Sequence, residues 1–82
     1  MSESDRPTHE LDARRLLCPL PVIRTQKKIR ELSEGDLLTV YATDPGVQQD
    51  IPAWCRIHGH KLVSCEKVDK DFILKIEVGS TQ

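Results

Sequence analysis

A cysteine followed closely by two prolines constrains this chain more than any other feature. The run Leu17-Cys18-Pro19-Leu20-Pro21 stands directly before a segment whose apolar residues have helical spacing. Proline is accepted in the first turn of a helix, because its missing N–H would find no intrahelical partner there. The run therefore predicts a helix start with Cys18 at the N-cap, beside the free backbone N–H groups of the first turn.

Cys18 is the candidate reactive sulfur on this interpretation. A helix N-terminus carries partial positive charge that stabilises an anion. It can lower the pKa of a cysteine thiol from about 8.5 into the range of roughly 3.5 to 7.5. The alternative is a small buried cysteine that happens to cap a helix, since free cysteines are among the most buried residues. Helix caps are usually Ser, Thr, Asp or Asn, which favours the reactive interpretation.

The length and charge of the chain exclude several classes of protein. Its 82 residues suffice for one domain with a modest core. Twelve basic and thirteen acidic side chains give a net charge of −1, so no global field favours nucleic acid or an anionic membrane. No apolar run approaches the roughly 20 residues of a membrane span, and the N-terminal residues lack an apolar signal core. With no evident apolar patch, we expect a cytoplasmic monomer.

The cysteines argue against a disulfide framework and against a metal site. There are three of them in a chain without a secretion signal, and no two form a CxxC pair. The residues whose types suggest a zinc site are Cys55, His58, His60 and Cys65. Structural zinc sites normally space their ligands in two short pairs separated by a longer segment, which this spacing does not match. We therefore expect no metal, with Cys55 packed beneath a helix and Cys65 in a strand.

Turn signals divide the chain into six elements after a disordered lead at residues 1–8, and residues 9–79 form a single domain. The predicted elements are a strand at His9–Arg14, a helix at Leu20–Glu34, a strand at Leu37–Ala42, a helix from Val47 to about Gly59, and strands at Lys61–Val68 and Phe72–Val78. Pro52 should kink the second helix or restart it. The order β-α-β-α-β-β predicts an α+β two-layer sandwich with both helices against one sheet and strands one and two parallel.

Two of these elements have a predicted buried face. In the first helix the apolar stripe consists of Val22, Ile23, Ile29 and Leu32. In the last strand Phe72, Leu74, Ile76 and Val78 alternate with polar residues, so they share one face. The two stripes should meet in the core between the helices and the sheet.

Basic side chains flank and follow the cysteine. They are Arg14, Arg15, Arg24, Lys27 and Lys28. They would raise the thiolate fraction and dock an acidic face of a partner protein, or else form a solvated helix face. Arg14 and Arg15 are nearest to the sulfur in sequence, which favours docking for these two. The few scattered aromatic residues form no base-stacking platform, which argues against direct RNA binding.

Several motifs of the chain resemble a known family. Leu11-Asp12-Ala13, followed by Leu17-Cys18-Pro19-Leu20-Pro21-Val22, resembles the CPxP signature of the TusA/SirA/YedF sulfur-carrier family. Asp44-Pro45 and Asp50-Ile51-Pro52-Ala53-Trp54-Cys55, with Gly59-His60-Lys61-Leu62-Val63, are similar to the second-helix region of the TusA members. The similarity covers nearly the full chain.

The resemblance implies a fold like the C-terminal domain of a bacterial translation initiation factor, with a four-stranded mixed sheet. It implies that Cys18 carries sulfane sulfur as a persulfide, in a motif supported by Pro19 and Pro21. Asp12 either hydrogen-bonds backbone groups of the turn that presents Cys18 or faces water, and we expect the first. The implied donor is a cysteine desulfurase or a rhodanese-like protein, and the implied acceptor is a TusBCD- or DsrE-like protein. No cofactor is needed, because the bound sulfur is the cargo.

The pathway stays open at this point. TusA members supply a relay for 2-thiouridine formation in tRNA, whereas relatives in sulfur-oxidising organisms shuttle sulfur among rhodanese-like and DsrE-like proteins. TusA often has an acidic residue between the prolines, and this chain has Leu20. A sulfurtransferase of this kind would carry sulfur stoichiometrically and would be regenerated after each transfer. The alternatives are a non-catalytic interaction domain, whose CPxP turn only fixes a helix start, and a direct RNA-binding regulator.

Overall fold

The computed structural model describes residues 8–79. Along the chain it contains β1 (Thr8–Ala13), α1 (Leu20–Ile29), β2 (Leu37–Ala42), α2 (Val47–His58), β3 (Lys61–Val68) and β4 (Asp71–Glu77). The predicted order of elements is confirmed. Residues 1–7 of the predicted disordered lead lie outside the described residues, whereas Thr8 already belongs to the sheet and pairs with Leu37.

The four strands form one mixed sheet in the order β1-β2-β4-β3. β1 and β2 are parallel, as a strand–helix–strand crossover requires, and Ala13 pairs with Ala42 where both strands end. β4 is antiparallel to both of its neighbours. Because β1 and β2 run the same way, the loops that follow them emerge at the same edge of the sheet.

The core lies between one face of the sheet and the two helices, which confirms the predicted two-layer arrangement. The predicted face of β4 and the residue after it is confirmed, since Phe72, Leu74, Ile76 and Val78 are at most 4% exposed. From α2 the buried side chains are Val47, Ile51 and Cys55. Full burial of one large aliphatic side chain stabilises the fold by about 1.5 to 3 kcal/mol.

α1 is shorter than predicted. It ends at Ile29 rather than at Glu34, because the N–H groups that follow Arg30 bond to carbonyls only three residues back. Glu31 N–H donates to the Lys28 carbonyl and Leu32 N–H to the Ile29 carbonyl, both at 3.0 Å. These tighter turns leave the α-helical path before Glu34, where the helix was predicted to end.

The buried face of α1 also differs from the predicted stripe. Pro21, Thr25 and Ile29, spaced four residues apart, are its buried residues, while Ile23 is 49% exposed. Val22 and Leu32 are only partly buried against the core. The hydroxyl of Thr25 is enclosed without a hydrogen-bond partner among residues 8–79. A polar side chain therefore takes the core position that Ile23 was expected to fill.

α2 passes through Pro52 as one continuous helix, which excludes the restart that was predicted as the alternative to a kink. It ends where Gly59 adopts a left-handed conformation, with φ of +81°, and His60 N–H donates to the Cys55 carbonyl at 2.8 Å. This is the usual way in which glycine terminates a helix. Of the helices among residues 8–79, neither is long and apolar enough to cross a bilayer.

Candidate functional site

The loops that follow β1 and β2 are joined by two hydrogen bonds from backbone to side chain. Arg15 N–H donates to Thr43 Oγ1 at 2.9 Å, and Cys18 N–H donates to Asp44 Oδ2 at 2.7 Å. Both bonds lie at the carboxyl ends of the two parallel strands, where open α/β sheets commonly place functional residues. The second of them fixes the backbone of the cysteine loop.

Cys18 precedes the helix instead of capping it. The N-cap is Pro19, which offers no side-chain hydrogen bond, and α1 begins at Leu20. The predicted N-cap position is wrong because a tight turn, in which Leu20 N–H donates to the Leu17 carbonyl at 2.8 Å, separates the cysteine from the helix. The peptide bond between Cys18 and Pro19 is cis. The thiol is exposed, which excludes the alternative of a buried structural cysteine.

The sulfur of Cys18 lies against a carboxylate. Its thiol donates a hydrogen bond to Asp50 Oδ2, with Sγ and Oδ2 2.7 Å apart. This hydrogen bond raises the pKa of the Cys18 thiol above its ordinary value, and partial desolvation and the charge of Asp44 act in the same direction. The expected lowering of this pKa is therefore wrong. A negative charge at contact distance opposes formation of the thiolate.

Asp44 and Asp50 are the site residues that the sequence reasoning missed. The available signal was topological, because the residues that follow two parallel strands must meet at one sheet edge. Asp44 stands two residues after β2, and its Oδ1 also accepts from Gly46 N–H at 3.1 Å. Asp50 lies in the first turn of α2. The loop between β2 and α2 brings this turn beside the sulfur of Cys18.

Asp12 and Arg14 form a closed pair at the start of the cysteine loop. Asp12 Oδ1 accepts from Arg14 N–H at 3.0 Å and from Arg14 Nε at 2.9 Å, and Oδ2 accepts from Nη2 at 3.0 Å. These bonds lower the pKa of Asp12 to about 2. Arg14 also lies 3.6 Å from a carboxylate oxygen of Asp71 and over the ring of Tyr41. Its charge is thus engaged inside the molecule.

The other predicted docking residues divide into two groups. Arg15, Arg24 and Lys27 are exposed and form no ion pair within residues 8–79. Lys28 lies 3.8 Å from Glu31 on the same helix. Arg15 has a positive φ of 71°, which is uncommon for a residue with a side chain. Three of the five predicted cations therefore remain available to a partner.

The prolines of the motif have different environments, and apolar side chains surround them. Pro21 is fully buried against the core, whereas Pro19 is exposed. Leu17 is 73% exposed and Leu20 42% exposed, and Ile23 follows one helical turn later. The expectation that the surface has no apolar patch is therefore wrong beside the sulfur.

The other two cysteines lie away from this loop. Cys55 is buried in α2, as predicted, and burial raises the pKa of its thiol to about 11. Cys65 is exposed on β3, in a register opposite Leu74. All three cysteines are free thiols.

His58 and His60, for which no zinc site was expected, pack on an aromatic ring. The rings of His58 and His60 lie 4.9 and 5.1 Å from that of Trp54, measured between centroids. His60 Nδ1 accepts a hydrogen bond from Gly79 N–H at 2.9 Å. Within the described part of the chain, no three His, Cys, Asp or Glu side chains lie close enough together to hold a metal ion.

Comparisons with known proteins show the family to which the chain is similar. The family model described as Sulfurtransferase TusA matches residues 9–78. YrkI of Bacillus subtilis, whose name assigns it provisionally to the sulfur carriers, is 46% identical over 65 residues, which are 79% of this chain and 84% of that protein. The sulfur carrier protein TusA of Pseudomonas syringae is 45% identical over 64 residues, 78% of this chain and 76% of that protein.

A solved structure has the same fold. The crystal structure of a SirA-like protein from Desulfitobacterium hafniense superposes with a TM-score of 0.76 at 27% identity. The match covers 88% of this chain and 99% of that one. The family model, the relatives and the shared fold lead to one conclusion: the chain belongs to the TusA family of sulfur carriers.

Proposed function

We propose that this protein accepts sulfane sulfur on Cys18 as a persulfide and relays it to an acceptor protein, and thus acts as a sulfurtransferase. The observation that carries the proposal is the exposed thiol of Cys18, presented on a loop that Asp44 and Pro21 fix on its two sides. Membership of the TusA family supports the same chemistry. No cofactor enters the proposal, because the sulfur atom itself is the cargo.

The proposed transfer is a displacement at sulfur. The Cys18 thiolate attacks the outer sulfur of the donor's persulfide, a new sulfur–sulfur bond forms, and the donor's cysteine leaves as a thiolate. In the second half the acceptor's thiolate attacks the outer sulfur on Cys18 and releases Cys18. Each half breaks one sulfur–sulfur bond and forms another, so no external oxidant or reductant is needed.

The absence of a neighbouring thiol suits a carrier. A second reactive thiol would attack the persulfide at its inner sulfur and release the cargo as sulfide. Cys55 is enclosed in the core, and Cys65 lies on the strand at the far edge of the sheet from β1. We therefore infer that a persulfide on Cys18 persists until an acceptor arrives.

A cysteine desulfurase or a rhodanese-like protein is the proposed donor, and a TusBCD- or DsrE-like protein the proposed acceptor. The exposed cations Arg15, Arg24 and Lys27, which form no ion pair within residues 8–79, would dock an acidic face of such a partner. Asp12 would support the turn that begins the cysteine loop through its bond to Arg14 N–H. Three free thiols are consistent with action in the reducing cytoplasm.

We propose that the relay serves tRNA 2-thiouridine formation, as the resemblance to the TusA members implies, and the similarity to a TusA protein supports this proposal. A sulfur-oxidation pathway is the alternative. The two differ in the acceptor that receives the sulfur, so transfer from the loaded protein to a TusBCD-like or a DsrE-like protein distinguishes them.

Incubation with a cysteine desulfurase and radiolabelled cysteine tests the carrier proposal. Wild type and the matched variant Cys65→Ser should take up covalently bound label at the same rate, whereas Cys18→Ser should take up none. Equal labelling of the Cys18→Ser variant would overturn the proposal and favour a non-catalytic interaction domain. A shift of tRNA mobility without any labelled protein would favour the RNA-binding alternative.

A further inference from the structure

Two carboxylates from one loop and one helix surround the sulfur of Cys18. Asp50 Oδ2 accepts the thiol hydrogen at 2.7 Å, and Asp44 Oδ2 accepts the N–H of the same residue at 2.7 Å. Both carboxylates also border Gly46, since a Cβ added there would lie 3.6 Å from Asp50 Oδ2 and 3.7 Å from Asp44 Oδ1. The sulfur therefore has a fixed acidic wall on the α2 side.

The basic residues of the loop do not offset this wall. Arg14 is held by Asp12 and Asp71, and the charges of Arg14 and Arg15 act on Asp12. The charged groups that act on Cys18 from the packed elements are Asp50 and Asp44, and both disfavour its ionisation. In the free protein the sulfur is thus a neutral thiol, which is the unreactive form in displacement at sulfur.

This inference rests on the proposed function and concerns how the ionisation of Cys18 is regulated. We propose that Asp50 holds Cys18 as a neutral thiol in the free carrier, and that a Lys or Arg side chain of the sulfur donor pairs with Asp50 on docking and releases the thiolate. The proton of the thiol passes to solvent water in that step. When the sulfur–sulfur bond of the donor breaks, its cysteine leaves as a thiolate and takes a proton from solvent in turn.

The consequence is a specificity rule for the partner. A partner that presents a cation beside its persulfide both docks against the acidic wall and generates the nucleophile, whereas a small neutral electrophile does neither. The neutral form protects the exposed Cys18 from alkylation by small electrophiles. The exposed apolar side chains of Leu17 and Leu20 beside it can still contact a protein surface. The basic residues of α1 would contact the partner at a separate acidic area.

Charged thiol reagents test the acidic wall on the free protein. In a Cys65→Ser background, in which Cys18 is the exposed thiol, modification is measured with trimethylammonioethyl and sulfonatoethyl methanethiosulfonate. We expect the cationic reagent to react faster by on the order of tenfold, after normalisation to free cysteine, as expected for attraction by fixed charges. Equal rates for the two reagents would overturn the proposal without any variant of Asp50.

The role of Asp50 is tested by the pH dependence of alkylation with iodoacetamide. Asp50→Asn should move the rate profile to lower pH, because the substitution removes a negative charge beside the thiol. The rate at neutral pH should rise by about fivefold, a gain that is limited because a thiolate of lower pKa is a weaker nucleophile. Asp50→Ala should do the same, and covers the case in which the asparagine variant fails to fold. Glu34→Gln removes a carboxylate beyond the far end of α1 and should leave the profile unchanged.

An unchanged profile in a folded Asp50 variant would overturn the proposal. A slower alkylation of Cys18 in the Asp50 variant would also overturn the proposal, because it would mean that Asp50 acts as a base that assists ionisation of the thiol. No sulfur donor is present in these assays. A failure of persulfide transfer and a failure of the carboxylate control can therefore be told apart.

Discussion

The guanidinium of Arg14 closes on the carboxylate of Asp12, with Nε 2.9 Å from Oδ1 and Nη2 3.0 Å from Oδ2. The backbone N–H of Arg14 adds a third hydrogen bond to the same carboxylate. The pair lies at the point where β1 ends and the cysteine loop begins. It therefore fixes the direction in which the chain leaves the sheet.

Replacing the side chain of Arg14 should raise the pKa of Asp12 towards its ordinary value. In wild type the Arg14 bonds lower that pKa from 3.8 to about 2, so the pair is intact at neutral pH. Its contribution to stability is present above the unfolded pKa and is lost as the pH falls towards 2. Arg14→Gln should raise the pKa of Asp12, followed by carboxyl chemical shift, only part of the way from about 2 towards 3.8, because the backbone N–H of residue 14 still donates to the carboxylate. Lys27→Gln is the control and should not move it; an Asp12 that titrates near 3.8 in wild type would contradict the geometry.

Thr25→Val should stabilise the fold. The hydroxyl of Thr25 is buried without a hydrogen-bond partner among the described residues, and valine has nearly the same shape without the polar group. We expect the free energy of unfolding, measured in urea, to rise by about 1 kcal/mol. Thr25→Ala removes the same hydroxyl but leaves a cavity, so it should destabilise. A loss of stability in the valine variant would mean that the hydroxyl is satisfied.

Gly79→Ala should be strongly destabilising for a packing reason. A Cβ at this position would overlap the backbone carbonyl of Gly59, which also ends α2. Backbone atoms cannot rotate away as a side chain does, so we expect a loss of about 2 kcal/mol in the free energy of unfolding. Gly46→Ala is the matched control, because its Cβ would have only ordinary contacts. Equal stability of the two variants would refute the close approach.

Charge reversal at Lys27 should slow sulfur loading. Lys27→Glu places a negative charge where we propose that an acidic partner docks, so the second-order rate of loading by a cysteine desulfurase should fall about tenfold at low salt. The difference from wild type should shrink as salt is added. Arg56→Glu makes the same change of charge near the end of α2. If it slows loading equally, the effect belongs to net charge and not to a docking surface.

Local sequence signals predicted the strands well and the end of the first helix poorly. β4 alternates between apolar and polar residues, so its buried face could be read without knowledge of its neighbours. The end of α1 depends instead on a switch to tighter turns at Glu31 and Leu32, for which the apolar spacing gives no signal. Thr25 is buried in place of Ile23 because the buried face of α1 runs through Pro21, Thr25 and Ile29, at a spacing of four residues.

The sequence predicts that Cys18 is the candidate reactive residue, and the structure shows that its thiol is exposed, but the predicted electrostatics of this thiol are wrong. Cys18 was identified from the prolines around it, and the same local reasoning assigned it to the helix cap. Its N–H and its thiol bond instead to Asp44 and Asp50, which lie 26 and 32 residues further along the chain. A contact of that range follows from the parallel pairing of β1 and β2, and no motif at Cys18 contains it.

The position of the bound sulfur is the most direct test of the carrier account. Wild-type protein is loaded by a desulfurase with cysteine, its persulfides are trapped by alkylation, and its peptides are analysed by mass spectrometry. The account predicts one additional sulfur atom on the peptide that contains Cys18, removable by a thiol reductant, and none on those with Cys55 or Cys65. Sulfur on the Cys65 peptide, or an unmodified Cys18 peptide after complete turnover of the desulfurase, would contradict it.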